Sequence, residues 1–256
     1  MAVIGGGNMA KAIISGAIKD GVLDGSAIAV AEPDASNRDF FAQLGCAVFA
    51  SASDLPSSEY VLLAVKPQIF DVVSEQLRGN VVYSIMAGVT IKTIEGAVEH
   101  ARVVRIMPNL PCSIGYGAAG IALGNGVSVE DATLARKLFS AIGIAVDIEE
   151  SLMDAVTAVS GSGPAYLFML AEAMIEGGVD AGLTREVATS LVQQTMLGAS
   201  ALLDRDVRSA GELREAVTSK GGTTAAALEC MNTNGVPKAI RDAVIAARDR
   251  GLELGS

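Results

Sequence analysis

An apolar triplet, Ala2-Val3-Ile4, runs directly into Gly5-Gly6-Gly7-Asn8-Met9-Ala10, after which apolar side chains fall at Met9, Ile13, Ala17 and Ile18. That pattern reads as a strand, a tight turn and a helix with one apolar face. The glycines have the G-x-G-x-x-A spacing that lets a helix start carry a dinucleotide's pyrophosphate. Gly5 makes the turn, Gly7 leaves the backbone open to an approaching phosphate, and Ala10 lets the helix lie close to the sheet. Free N–H groups and the helix dipole at the helix start would hold the anion. Gly5, Gly7, Asn8 and Met9 are therefore candidate phosphate-binding residues. A lone match of this kind is a weak signal, and its weight comes from the strand before it and the helix after it.

The chain goes on alternating. Strands are expected at Ala27–Ala31, Ala47–Phe49, Tyr60–Val65, Val81–Met86 and Val103–Met107, with helices from Pro33-Asp34 to about Leu44 and from Lys66-Pro67 to about Leu77. A glycine-rich strand (Gly117–Leu123), a helix (Val129–Ile142) and a strand (Ile144–Ile148) complete the pattern. The fold class this implies is α/β, a doubly wound parallel sheet of the Rossmann type. Glu32 closes the second strand, where an acidic residue usually bonds the ribose 2′-hydroxyl and disfavours a 2′-phosphate. It favours NADH over NADPH, although Arg38 is near enough in sequence to help accept the phosphate. In such sheets ligands bind off the carboxyl ends of the strands. Three successive ends carry suggestive residues: Ala64-Val65-Lys66-Pro67, Ala87-Gly88-Val89-Thr90 and Met107-Pro108-Asn109. Taken singly, each reads more readily as an ordinary helix start, turn or loop, and it is their occurrence at three successive strand ends that gives them weight.

Composition narrows the function. A net charge of −10 argues against a nucleic-acid partner, and it means that any anionic ligand must be gripped locally by backbone amides and a few placed cations. The three cysteines, Cys46, Cys112 and Cys230, form no metal spacing, and with no basic leader ahead of the first strand a reduced, cytoplasmic protein is expected. No apolar run is long enough to cross a bilayer, since Glu172 and Glu176 interrupt the most apolar stretch, Ala165–Ile175. The single histidine, His100, lies in a polar context and reads as a surface residue. With one histidine most hydrolase and zinc-enzyme constellations are impossible, whereas hydride transfer, whose chemistry a cofactor carries, remains open. No metal site is expected.

From about Glu149 the pattern becomes wholly helical, which places a domain boundary between 1–149 and 150–256. Ser160-Gly161-Ser162-Gly163-Pro164-Ala165-Tyr166 breaks a first helix and starts another, with Pro164 in a first-turn position that suits it. The next helix is apolar on nearly every face, so it belongs at the centre of a bundle or a subunit interface. Val217-Thr218-Ser219-Lys220-Gly221-Gly222-Thr223-Thr224 then leads into an Ala/Leu/Met-rich helix reaching about Asn232. The N–H groups from Gly221 to Thr224 would lack intrahelical partners, and the paired glycines let a small carboxylate approach. The plainer reading is that a threonine caps a helix.

This last stretch is similar to the signature of the pyrroline-5-carboxylate reductases over about a dozen consecutive positions. Gly5–Ala10, Ala64–Pro67, Ala87–Thr90, Met107–Pro111 and Ser160–Tyr166 resemble further elements of that family in the same order. Leu110 departs from the family's usual threonine. The resemblance implies hydride transfer from NADPH or NADH to the C=N carbon of 1-pyrroline-5-carboxylate, giving L-proline. It implies that Ala64, Val65, Lys66, Pro67, Ala87, Gly88 and Asn109 line the cofactor. The substrate residues it implies are Gly221, Gly222, Thr223, Thr224, Ser162 and Gly163, with Glu150 at an acidic position that reaches the substrate in some relatives. Thr224 is the candidate catalytic residue, its hydroxyl set against the ring nitrogen. The resemblance also implies a helical dimerisation domain and a homodimer, assembled into a larger ring such as a decamer. Two alternatives stay open at this level: a related two-domain oxidoreductase acting on another imine or a hydroxy acid, and a non-enzymatic NAD(P)-binding regulator.

Overall fold

Short runs of Ala, Val, Ile and Leu build the centre of the sheet. A computed structural model describes residues 1–77 and 79–255. Strands β1 (Ala2–Ile4), β2 (Ala29–Ala31), β4 (Tyr60–Leu63) and β5 (Val81–Ser84) are buried over almost their whole length, as parallel strands covered on both faces must be. With β3 (Ala47–Phe49), β6 (Arg102–Met107), β7 (Gly117–Leu123) and β8 (Gly143–Asp147) they form one eight-stranded sheet, ordered β3-β2-β1-β4-β5-β6-β7-β8. The order reverses between β1 and β4, and Val3 pairs with Val30 on one side and Leu62 on the other.

The sheet departs from the all-parallel expectation at one place. β7 runs antiparallel to β6. Only residues 108–116 join them, and a parallel neighbour needs a crossover of roughly a dozen residues or more. A 3-10 turn at Leu110–Ile114 and Gly115 at φ 80° bring the chain straight back. β4 and β5 stop at Leu63 and Ser84, short of the expected Val65 and Met86, so residues 64–67 and 85–90 leave the sheet as loops.

Helices α1 (Asn8–Lys19), α2 (Ala35–Gln43) and α5 (Val129–Ser140) lie where the sequence predicts them, while α3 (Phe70–Ser74) is shorter than expected because Pro67–Ile69 form a 3-10 turn. α4 (Ile91–Ala97) is an additional element, started by Thr90, whose Oγ1 accepts from the Thr93 N–H at 3.1 Å. Two apolar cores flank the sheet. One gathers Ile13, Ile14, Phe41, Tyr83, Leu138 and Phe139, and the other gathers Leu63, Phe70, Val82, Ile94, Val103 and Met153.

The helical half begins with α6 (Met153–Val156) and a π turn at Thr157–Gly161, followed by α7 (Gly163–Asp180), α8 (Arg185–Arg205), α9 (Ala210–Ala216), α10 (Thr223–Thr233) and α11 (Val236–Leu254). By packing, the chain divides into residues 1–164 with 246–256 and residues 165–245. The physical reason is that Met153 is buried in the sheet's second core, and that Gly251 sits where a Cβ would come within 2.8 Å of Asp154 Oδ1. In the second unit α7 exposes Leu167, Phe168, Met169 and Leu170, more apolar surface than so small a unit covers by itself.

One polar cluster ties α5 to the sheet. Buried Asp131 accepts from Arg102 Nε at 2.7 Å and from the Ser128 N–H at 3.0 Å, and the Tyr83 hydroxyl donates to its carbonyl at 2.7 Å. Burial pushes the Asp131 carboxyl up, but the Arg102 and Ser128 hydrogen bonds outweigh it and hold the group below the ordinary aspartate value. A carboxyl whose pKa is lowered by folding stabilises the protein above its unfolded pKa and loses that contribution as pH falls through the folded one. Asp131→Ala is therefore expected to cost about 2–4 kcal/mol near neutral pH, read by urea unfolding, and its difference from the parent should shrink under strongly acidic conditions.

Candidate active site

The turn after β1 is shaped by contacts that allow no side chain. Gly5 has φ 95°, and a Cβ there would lie 2.6 Å from the Ala64 carbonyl oxygen. Gly6 is closed in as well, with a Cβ position 2.8 Å from the Phe41 ring and 2.9 Å from Glu32 Cγ. Gly7 differs: nothing lies within 4 Å of its Cβ position, and it is exposed together with Asn8. Gly7 is also the N-cap of α1, which has no side-chain cap and no acidic residue in its first turn. The free amides of Asn8 and Met9 and the helix dipole thus face open space, which fits a pyrophosphate.

Glu32 lies at the end of β2, buried, with both carboxylate oxygens engaged. Oε2 accepts from the Gly6 N–H at 2.6 Å and Oε1 from the Asp34 N–H at 2.9 Å. The acid therefore holds the glycine turn and its own loop together, a structural part that sequence spacing does not reveal. Arg38 is turned toward the backbone, donating from Nη1 to the carbonyls of Glu32 at 2.8 Å and Pro33 at 2.6 Å.

The other strand ends fall along the same edge of the sheet. Ala64 continues the ladder, its N–H donating to Ile4 O at 2.9 Å, and Val65 leads to exposed Lys66 at the start of the Pro67–Ile69 turn. Ala87 is exposed, and Gly88 takes φ 75°, a backbone conformation that L side chains rarely adopt. Asn109 is buried and its amide is used internally: Nδ2 donates to Ser160 O at 3.0 Å and Oδ1 accepts from the Ala118 N–H at 2.9 Å. It links the loop after β6 to β7 and to the π turn, where the Ser162 N–H reaches back to Thr157 O at 2.8 Å. Ser162 and Gly163 are half-buried just beyond that turn. Single π turns are frequent at functional sites. Glu150 Oε1 accepts from the Ile91 N–H at 2.7 Å and from Arg105 Nη1 at 3.1 Å. Arg105 was not singled out from sequence, although a charge inside the apolar run Val103–Met107 is a signal that it is paired.

In the second unit the chain reaches α10 through Gly221 at φ 71° and Gly222, the N-cap. A Cβ on Gly222 would lie 2.3 Å from Ser219 Oγ and 3.2 Å from the Ser219 carbonyl oxygen, so a side chain there would turn the Ser219 hydroxyl aside. The Gly222 N–H already donates to Ser219 O at 3.0 Å and is not free for a ligand. α10 has no side-chain cap and no acid in its first turn, so neither threonine hydroxyl caps it. Thr223 is exposed and Thr224 half-buried, and nothing lies within 4 Å of the Gly221 Cβ position. Sequence places Ser162, Gly163 and Glu150 with these residues, whereas the packing division puts those three in the first unit and 221–224 in the second.

An open, uncapped helix start at the carboxyl edge of a doubly wound sheet fits the dinucleotide-binding class of proteins. Residues 1–88 match a family model described as NADP oxidoreductase, coenzyme F420-dependent, and residues 150–254 match one described as pyrroline-5-carboxylate reductase dimerisation. A pyrroline-5-carboxylate reductase of Synechocystis is 41% identical, over 100% of this chain and 98% of its own length. Among solved structures, a pyrroline-5-carboxylate reductase from Coxiella burnetii superposes with a TM-score of 0.92 at 34% identity, covering 100% of this chain and 98% of that one. A pyrroline carboxylate reductase of Plasmodium falciparum, solved with NADP bound, has a TM-score of 0.88 at 28% identity, covering 100% and 97%. The chain belongs to the pyrroline-5-carboxylate reductase family.

The glycine geometry separates folding from binding. Gly7→Ala fills only open space, so stability should fall by no more than about 1 kcal/mol while nucleotide affinity drops about tenfold or more. Gly5→Ala should instead lose about 2 kcal/mol or more of stability, because its Cβ meets backbone and its φ is unfavourable. Nucleotide titration beside thermal unfolding checks both.

Proposed function

We propose that this chain reduces 1-pyrroline-5-carboxylate to L-proline with NADH in preference to NADPH, in a reduced cytoplasmic setting, as a homodimer assembled into a larger ring. The reaction rests on membership of the reductase family over the full length of the chain. What carries the substrate half of the reading is the uncapped start of α10 behind Gly221 and Gly222.

The imine carboxylate would take the free N–H groups of Thr223 and Thr224, approaching over Gly221, where no Cβ stands in the way. Because the Gly222 amide is committed to Ser219, Gly222 contributes the shape of the turn. The Thr224 hydroxyl orients the ring nitrogen. It is too weak an acid to be the main proton source, so the substrate reacts as the iminium or takes its proton from water. The reduced nicotinamide, when bound, supplies the hydride that adds to the C=N carbon. Residues of the chain would hold that cofactor at Gly5–Met9 and line it at Ala64–Pro67, Ala87–Gly88 and Asn109.

The cofactor preference rests on Glu32. Its negative charge lies where the ribose is read, and Arg38 already donates to two backbone carbonyls, so a 2′-phosphate meets an acid before it meets a cation. The relative solved with NADP shows that the family includes NADP binders. The free thiols Cys46, Cys112 and Cys230 support the cytoplasmic setting, and the apolar surface of α7 supports the dimer. No helix among the described residues is long and apolar enough to cross a membrane.

Oxidation of NADH and NADPH, measured in parallel with the imine, tests both parts. Turnover is expected with each, at a higher kcat/KM for NADH; no turnover with either would remove the substrate assignment. Glu32→Gln should lower the NADH-to-NADPH ratio by roughly tenfold. Thr224→Ala should reduce kcat/KM for the imine by about 1–3 kcal/mol with nucleotide affinity unchanged, and an unaltered rate would exclude Thr224 from the mechanism.

A further inference from the structure

The loop bearing Ala87 and Gly88 ends where α4 begins, and an acid from far along the chain holds it there. Ile91 is the first residue of α4, so its N–H has no acceptor within the helix. Thr90 Oγ1 serves the Thr93 N–H instead. The acceptor for Ile91 is Glu150 Oε1, at 2.7 Å. The same oxygen takes Arg105 Nη1 at 3.1 Å. Arg105 stands on β6 with its side chain only 7% exposed, between Val103 and Met107, both of which belong to the apolar layer that α3 and α4 cover. A guanidinium buried there needs an anion, and the pair in turn fixes the carboxylate beneath the start of α4. Val89 and Ile91 are buried on either side of Thr90. Across the loop, the Leu254 carbonyl oxygen lies 3.7 Å from the Gly88 Cβ position. The loop is therefore held where it enters α4.

We infer that Glu150 is a positioning residue for the cofactor and not a ligand of the imine. It sets the loop Ala87–Thr90 by accepting the Ile91 N–H, and Arg105 is the buried counter-charge that keeps it in place. The inference rests on the reading that this loop lines the nicotinamide, but its primary test is binding of nucleotide alone, which does not depend on which imine is turned over.

The experiment titrates NADH into the full-length protein and follows nicotinamide fluorescence for the parent, Glu150→Ala, Glu150→Gln and the double variant Arg105→Met/Glu150→Met. Thermal unfolding and the imine KM at saturating NADH are measured alongside. Glu150→Ala should weaken NADH binding about 5- to 30-fold, with the imine KM changed less than about threefold. Glu150→Gln keeps an acceptor for the Ile91 N–H and should bind NADH within about threefold of the parent. The double variant removes the stranded charge, so it should recover the stability that Glu150→Ala loses, yet bind NADH as weakly. Recovery of NADH affinity together with stability in the double variant would reduce the pair to a folding role and overturn the inference. So would unchanged NADH affinity in Glu150→Ala. A raised imine KM with normal NADH binding in Glu150→Gln would make Glu150 a substrate ligand after all. A parent protein that binds NADH but turns over no imine would count against the proposed reaction and leave the role of Glu150 decided by the titration.

Discussion

The contact between Gly5 and the Ala64 carbonyl sets the geometry on which the nucleotide half depends. Gly5 follows β1 and Ala64 follows β4, the two strands between which the sheet order reverses. With a Cβ position 2.6 Å from that oxygen and φ 95°, Gly5 admits no other side chain without moving one of the two strands. The chain therefore leaves the sheet at its switch point in a sharp left-handed turn, and α1 starts with its free amides facing open space over Gly7. Glu32 is drawn onto Gly6 from the neighbouring strand. Close packing thus accounts for glycine at positions 5 and 6, against Ala64 and against Phe41 and Glu32, whereas Gly7 meets nothing within 4 Å and is left open.

The helix starts differ in how their free amides are met. α2 is capped by Asp34, α8 by Thr184, and α5 and α9 carry full capping boxes built from Ser128 with Asp131 and Ser209 with Glu212. α1 and α10, each entered through a glycine, have neither a side-chain cap nor an acid in the first turn. A protein with a net charge of −10 can still bind anionic ligands because the relevant field is that of a few unneutralised amides at short range, and distant surface carboxylates are screened by solvent and salt.

Most of the fold was legible because its determinants are local. Strand-length apolar runs, the glycine turn and the helical periodicity of α1 each follow from the sterics and burial of a few consecutive residues. The antiparallel β7 was missed because the pattern of a buried strand carries no direction. Its direction follows instead from the length of the link before it. The short 3-10 and π turns at Pro67–Ile69 and Thr157–Gly161 were missed for a related reason: they differ from an α-helix by one hydrogen-bond step, which composition barely registers.

The sequence by itself determined the class of fold, the position of the glycine turn after β1 and the glycine-led start of α10, because backbone conformation at a glycine and amphipathic spacing are properties of neighbouring residues. Only the tertiary structure decided what the buried polar groups do. Glu32 reaches Gly6, Asn109 reaches Ser160, Asp131 reaches Arg102, and Glu150 reaches Ile91 and Arg105. Each buried donor or acceptor must find a partner, but the partner is fixed by which strands and helices come together, and no local rule in the chain specifies that.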